Sequence, residues 1–384
     1  MQRIYLDHAA TTPVRPEVLE AMLPHFAERG YNASSLHGEG RAARAALDDA
    51  RDTIARLLGA KRKEIVFTGS GSEADNMALA GVARRNRHRG LHIVSTTIEH
   101  HAVLHALDAL QDDGFEITLL PVSADGEVSP AAFAAALRPD TILASVMYAN
   151  NEIGTIEPIA ELAAIAHERG VVFHTDAVQA PGYLPLAVGP LGVDLLSIAA
   201  HKFYGPTGVG ALYVRDGVAI APLVRGGSQE FGRRAGTENV PGIVGMARAL
   251  ELTLADWERD AQATAALRDR LEAALCAGIP GLRVNGARKH RLANHLSIAV
   301  PGVESEQLLV RLDLEGVAVS AGSACTSGAL EISHVVEALG LPSGLAASVL
   351  RLTLGRATDR AAIDRVGALL PRLAREMLAT DAPR

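Results

Sequence analysis

From about Glu64 onward the chain alternates short, β-branched apolar runs with longer stretches of helical spacing. The runs are Ile65-Val66-Phe67, His92 to Ser95, Thr141 to Ser145, Val171 to His174 and Asp194 to Ile198. Apolar runs of this length, separated by helices, predict βα units and hence a mainly parallel sheet buried between two helical layers. The intervening segments Ser129 to Leu137 and Ile159 to Arg169 are Ala-rich, and Gly170 follows the second as a C-cap. Near Leu250 the texture changes to a long Ala/Leu/Arg helix running toward Cys276. Strand-like stretches Asn294 to Val300, Val317 to Ser320 and Leu350 to Leu354 follow, and then a last helix. The pattern predicts an α/β fold with a three-layer α/β/α large domain over residues 15–257. A smaller α/β domain is expected from 1–14 and 258–384, joined through that continuous helix, with the active site in the crevice between the two.

Composition narrows the function. A chain of 384 residues, 48% of them hydrophobic, can bury a large core or two smaller ones. The formal charge of −7 has its basic residues scattered among acidic ones, which argues against capture of nucleic acid and for small-molecule chemistry. The N-terminus reaches Asp7 before an apolar signal region forms, and no apolar run approaches the roughly 18 residues that span a bilayer, so a soluble cytoplasmic protein away from membranes is expected. Two cysteines, Cys276 and Cys325, are too few for a disulfide framework and fit a reducing compartment. His101 and His105 share a helix face at i, i+4, but Ala102 stands where the zinc-protease pattern has Glu, so no permanent metal is expected.

Four stretches carry candidate chemistry. Thr68-Gly69-Ser70-Gly71-Ser72-Glu73-Ala74 follows a strand and opens a helix, where free backbone N–H groups can hold a phosphate. Gly69-x-Gly71-x-x-Ala74 also matches the dinucleotide fingerprint, so a nicotinamide-dependent dehydrogenase is a rival; its acidic partner would be Glu99, roughly 30 residues on instead of about 20. Asp176 ends an apolar strand, either as a helix N-cap or as a carboxylate facing a ligand at the sheet edge. Lys202 follows another buried strand beside His201 and two aromatics, with Gly205, Gly208 and Gly210 letting the chain turn tightly past it. A lysine is ordinarily solvated, but one held in such a pocket becomes a usable amine for a Schiff base. Cys325 lies in Ser320-Ala321-Gly322-Ser323-Ala324-Cys325-Thr326-Ser327-Gly328, a composition that cannot build a core and reads as a mobile loop carrying a thiol. Cys276, in an Ala/Leu helix, reads as structural.

Together these stretches resemble the class V aminotransferase-like, fold-type I enzymes that use pyridoxal 5′-phosphate (PLP), and specifically the cysteine desulfurases of the NifS/IscS group. The resemblance runs from Tyr5-Leu6-Asp7-His8 to Leu350-Arg351-Leu352-Thr353-Leu354-Gly355-Arg356. It implies Lys202 as the Schiff-base lysine, Asp176 as partner of the pyridinium nitrogen, Gln179 as a donor to the phenolic oxygen and His100 as the imidazole stacked on the ring. Gly71, Ser72 and His201 match phosphate contacts, and Thr237 matches a threonine that reaches the phosphate from the neighbouring subunit, implying a homodimer. Asn151 and Arg351 match the residues that hold the substrate carboxylate, where a guanidinium fork suits two oxygens; read alone, Arg351 is an exposed strand arginine and His100 a surface histidine after a strand.

The implied activity is desulfuration of L-cysteine to L-alanine with a persulfide on Cys325. Sulfur then passes to an acceptor such as an iron–sulfur scaffold or a tRNA or cofactor thiolation enzyme, and Cys325 is a transient iron–sulfur ligand in the first case. The alternative is a selenocysteine lyase, which can dispense with an essential thiol. One departure is Ala199, where the family usually has a serine bonded to the phosphate; weaker PLP retention than in an Ala199→Ser variant is expected. The short tail from Ala379 to Arg384 also departs from a family that docks scaffolds through a longer one.

Overall fold

The computed structural model describes residues 3–321 and 332–380. The strands in chain order are β1 (Ile4–Tyr5), β2 (Ile65–Thr68), β3 (His92–Thr96), β4 (Glu116–Leu120), β5 (Thr141–Ser145), β6 (Val172–Asp176), β7 (Leu195–Ala199), β8 (Gly210–Val214), β9 (Arg283–Asn285), β10 (His295–Ala299), β11 (Val317–Ala318), β12 (Ser320–Ala321) and β13 (Val349–Thr353). A seven-stranded sheet has the order β2-β8-β7-β6-β5-β3-β4. It is parallel except for β8, which runs antiparallel between β2 and β7.

Side chains alternate across this sheet, so that Phe67, Val94, Ala144, Phe173 and Leu196 enter one apolar layer while Val66, Ile93, Leu143, Leu195 and Leu212 enter the other. Helices cover both faces, which gives the expected three layers. The helix Gly71–Asn86 packs over the second face with Ala74, Met77, Ala78 and Leu79 buried. On that same face the strands present polar groups near their carboxyl ends, and this is where the cavity forms.

A second, four-stranded antiparallel sheet, β12-β13-β10-β9, is covered by the helices Trp257–Gly278 and Arg360–Thr380. The N-terminal strand joins this part of the molecule: β1 pairs with β11, and Leu6 enters a core with Leu271, Leu296, Leu350 and Val366. The connecting helix is not continuous as the composition suggested. It breaks into Val240–Leu254 and Trp257–Gly278, because Asp256 leaves helical geometry at φ −135 and Glu258 and Asp260 in the next first turn favour a fresh N-terminus. Among the described residues no helix is long and apolar enough to cross a membrane.

Candidate active site

A cavity of about 370 Å³ opens at the carboxyl ends of β6 and β7 and is closed by residues from both sheets. Lys202 ends the short turn Ala200–Lys202 after β7, and its Nζ donates to the carbonyl oxygens of Ala9 at 2.6 Å and Ala10 at 2.8 Å. The N-terminal segment braces this turn further. Thr12 donates both its N–H and its hydroxyl to the His201 carbonyl at 2.8 Å, and its Oγ accepts the Tyr204 N–H at 2.7 Å. Tyr204 is thereby held at φ 66, a left-handed conformation that a bulky residue keeps only when its surroundings over-determine it. The glycines that follow are required by contact: a Cβ on Gly205 would lie 2.8 Å from Ala200 Cβ, and one on Gly210 would lie 2.7 Å from the Ser70 carbonyl oxygen.

Asp176 forms the floor. It is 6% exposed, and its Oδ1 accepts the Val178 N–H at 2.9 Å, so it caps a turn and not a helix, with the carboxylate still lining the cavity. Burial pushes its carboxyl above the usual range, while the Val178 N–H and the Lys202 ammonium pull the other way. Behind it lies a polar row that sequence reasoning missed. Asp176 registers with Ser197 on β7; the fully buried His174 sits between Ser145 Oγ at 2.9 Å and Ser197 Oγ at 3.0 Å, with Asp75 Oδ1 3.6 Å from its Nε2. Asp75, one turn into the helix Gly71–Asn86, also lines the cavity. Burial, with Asp176 beside it, raises its carboxyl well above the usual range. The one signal in the sequence was an acidic residue among the apolar positions Ala74, Met77 and Ala78.

His100 caps the helix His101–Asp112, and is not a surface residue. Its Nδ1 accepts the Ala102 N–H at 3.1 Å, which leaves the ring proton on Nε2. Burial, then the Lys202 ammonium and the imidazoles of His101, His334 and His105, push it down to about 4, so the ring is neutral near pH 7. His201 likewise is pushed to about 4 by burial and Lys202. His101 and His334 meet at the mouth with ring centroids 4.7 Å apart and planes tilted by 58°, and His334 Nε2 donates to the Glu99 carbonyl at 2.9 Å. Among the described residues no group of His, Cys, Asp and Glu has an arrangement that could hold a metal ion.

Arg351 is 1% exposed, which overturns its reading as a surface residue of β13. One terminal nitrogen donates to the Asn151 carbonyl at 3.0 Å and the other to Asp7 Oδ1 at 2.8 Å, while Nε has no partner among the described residues. An arginine and Asn151 side by side in the cavity wall suit a carboxylate ligand. The opposite wall suits a phosphate: Ser70, Gly71, Ser72 and His201 line it, and the first N–H groups of a helix lack intrahelical acceptors. A Cβ at Gly71 would come within 2.9 Å of Val178 and 3.2 Å of Ala199, so the backbone approaches closely there. Ala199 presents only a methyl at this wall.

The remaining expectations divide. Gln179 lines the cavity but its Nε2 donates to the Ala9 carbonyl at 3.0 Å. Thr237 is exposed and does not line the cavity of its own chain. Cys325 lies outside the described residues; the described chain resumes at Ile332, and Ser333 donates to Glu152 Oε2 at 2.6 Å in the cavity wall. Cys276 is exposed on its helix and is not a core residue. The dinucleotide reading fails on two counts: β2 is an edge strand paired with antiparallel β8 and not with the next strand, and Glu99 is fully buried, accepting from Thr96 and the Met147 N–H.

Comparison with known proteins bears on the same residues. A family model described as aminotransferase class-V matches residues 4–366. A curated "Cysteine desulfurase IscS" of Dictyoglomus turgidum is 50% identical over 382 residues, covering 100% of this chain and 97% of its own. Its namesake in Methanosarcina thermophila is 49% identical over 374 residues, covering 97% and 92%. Among solved structures, a "NIFS-like protein" superposes with a TM-score of 0.91 at 35% identity over 99% of this chain and 100% of that one. One titled "SspA in complex with cysteine" gives 0.81 at 34% identity over 91% and 98%.

Proposed function

The chain belongs to the class-V aminotransferase family, and on that footing we propose that it is a PLP-dependent cysteine desulfurase, which removes sulfur from L-cysteine to give L-alanine and a persulfide on Cys325. The observation that carries this reading is the shared cavity, lined together by a lysine amine, a buried carboxylate at the floor and the guanidinium of Arg351. The donors fit PLP. Gly71, Ser72 and His201 would hold its phosphate, Asp176 its protonated ring nitrogen, and Lys202 its aldehyde. When bound, PLP supplies an electron sink for the carbanion at the substrate Cα.

The chain's own residues do the rest. Arg351 and Asn151 hold the substrate carboxylate and so fix which Cα bond stands over the site. Lys202 Nζ, freed when substrate arrives, removes the Cα proton, and neutral His100 offers its Nε2–H to the reacting groups. Cys325 Sγ, as thiolate, attacks the substrate sulfur; the S–Cβ bond breaks and its electron pair stays with the carbon fragment, which takes a proton at Cβ while Lys202 returns one to Cα to complete alanine. The persulfide sulfur then goes to an acceptor, either an iron–sulfur scaffold or a thiolation enzyme, and the reducing cytoplasm is the fitting compartment.

The molecule we propose is a homodimer, with Thr237 of each chain reaching the phosphate wall of its partner. Its exposure supports this, as do the large apolar side chains that the single chain leaves in water, Leu23, Phe26, Leu36 and Phe231 among them. The division into 15–257 and 1–14 with 258–384 is part of the same reading. The test is Cys325→Ala: the purified variant keeps bound cofactor but releases no sulfide with dithiothreitol. Normal sulfide release from that variant would refute the persulfide step.

A further inference from the structure

The segment that ends at Thr237 is tied twice to the strand and loop that form the phosphate wall of its own chain. Glu230 meets Arg51 through two bonds of 2.7 Å, both side chains 2% exposed, and its Oε2 also accepts the Phe67 N–H of β2 at 2.8 Å. Four residues on, Arg234 donates Nε to Glu73 Oε1 at 2.8 Å and Nη2 to Oε2 at 3.2 Å, and that same Oε2 accepts the Gly69 N–H at 2.7 Å. The two bridges therefore land on either side of Thr68, at the entry to the Ser70–Ser72 wall.

Between them the backbone is strained. Glu230, Phe231 and Gly232 have φ values of 46, 58 and 75, and the first two carry side chains that disfavour this region. Bidentate arginine–carboxylate pairs specify geometry more than they add stability, and here they hold an exposed segment in one conformation against its own preference. Within a single chain that ordering serves nothing at the far end, because Thr237 does not reach the cavity of its own chain.

We propose that Glu73 and Arg234 are positioning residues that transmit the placement of one subunit's phosphate loop to the Thr237 it offers its partner, coupling the two cofactor sites of the dimer. This rests on the reading that Thr237 completes the partner's site. Phosphate bound at Gly71 and Ser72 orders the loop that includes the Gly69 N–H, Glu73 accepts that N–H and grips Arg234, and Arg234 sets the segment that leads to Thr237. By linkage, loading of either site then favours loading of the other.

Mixed dimers test this. One subunit carries Lys202→Ala and the other keeps Lys202, so that borohydride-fixed phosphopyridoxyl, counted by mass spectrometry during PLP titration of the apo dimer, reports only the second subunit's site. Adding Thr237→Ala to the Lys202→Ala subunit weakens that site about tenfold, about 1.4 kcal/mol, and adding Arg234→Gln there instead weakens it to a similar degree. Glu73→Gln in the same subunit, which removes the charge but keeps an acceptor, gives a smaller loss and stands in should Arg234→Gln fail to dimerise. If Thr237→Ala acts across the interface and neither Arg234→Gln nor Glu73→Gln does, the coupling is overturned while the dimer reading stands. If Thr237→Ala has no effect from the opposite subunit, the underlying reading itself falls.

Discussion

At the floor of the cavity Asp176, His174 and Ser197 come from two neighbouring strands, and Asp75 from the helix laid over them, whereas at the mouth Arg351 bonds to Asn151 from 200 residues away. The floor is fixed by sheet register. Its groups are buried together, and desolvation raises both carboxyls, Asp75 well above the usual range. The mouth is assembled from separate parts of the chain, with the buried Arg351 brought to the cavity wall beside Asn151. In the proposed function the difference matches the tasks: the floor would hold the permanent cofactor and the mouth would receive the transient substrate.

The largest effect follows from breaking that asymmetry at the floor. Asp176→Ala removes the buried carboxylate that the proposed function pairs with the ring nitrogen of PLP, and is expected to cost about 3–5 kcal/mol, roughly a hundredfold or more in turnover. Asp75→Asn keeps a polar side chain of the same shape behind Asp176 and is expected to leave turnover within about threefold, a change below about 1 kcal/mol. Equal losses in the two variants, measured as kcat with bound cofactor quantified, would mean that both carboxyls share one task. At the mouth, Arg351→Lys keeps the charge but loses the fork. The expected loss in kcat/KM for cysteine is about 1.5–3 kcal/mol, roughly 10- to 150-fold, carried mainly by KM and with cofactor content unchanged. A fall in cofactor content instead would move Arg351 to the floor's task.

The smallest effect is one of stability. His100 and His201, pushed down to about 4, and His174 and His295, pushed down to about 3, refuse protons that the unfolded chain accepts, so stability falls as pH drops below about 6.5. Glu99 and Glu157, pushed up to about 8 by burial, keep protons that the unfolded chain has already released, so stability also falls as pH rises toward 8. Between the ordinary carboxylate and imidazole ranges these imidazoles outnumber the carboxyls. The melting temperature of the apo protein should therefore peak near pH 6.5. Glu99→Gln should flatten the alkaline side by about 2 °C between pH 6.5 and 8.5, and an unchanged slope would show that Glu99 is ionised in the fold.

Much of the large sheet was legible because β2, β3, β5, β6 and β7 are buried on both faces and read as unbroken apolar runs. The edge strand β4 was not, since Glu116 to Leu119 are partly or fully exposed and its pattern is mixed. Nor was β8, whose Gly210 belongs equally to the turn past Lys202. In the site, Lys202 and Asp176 stood out because each closely follows or ends a strand, which is a local signal, whereas His100 entered only through the family resemblance. Asp75 and the burial of Arg351 did not, because they arise from a helix crossing one sheet and from a second sheet closing the cavity, and neither is written in a short window of sequence.

The central claim is that Lys202 carries PLP at this cavity. Freshly purified protein, reconstituted with PLP, reduced with borohydride and digested, should yield a single phosphopyridoxyl-modified peptide bearing the label on Lys202, from a protein that was yellow before reduction. A colourless preparation whose Lys202 peptide stays unmodified after reconstitution would contradict the account.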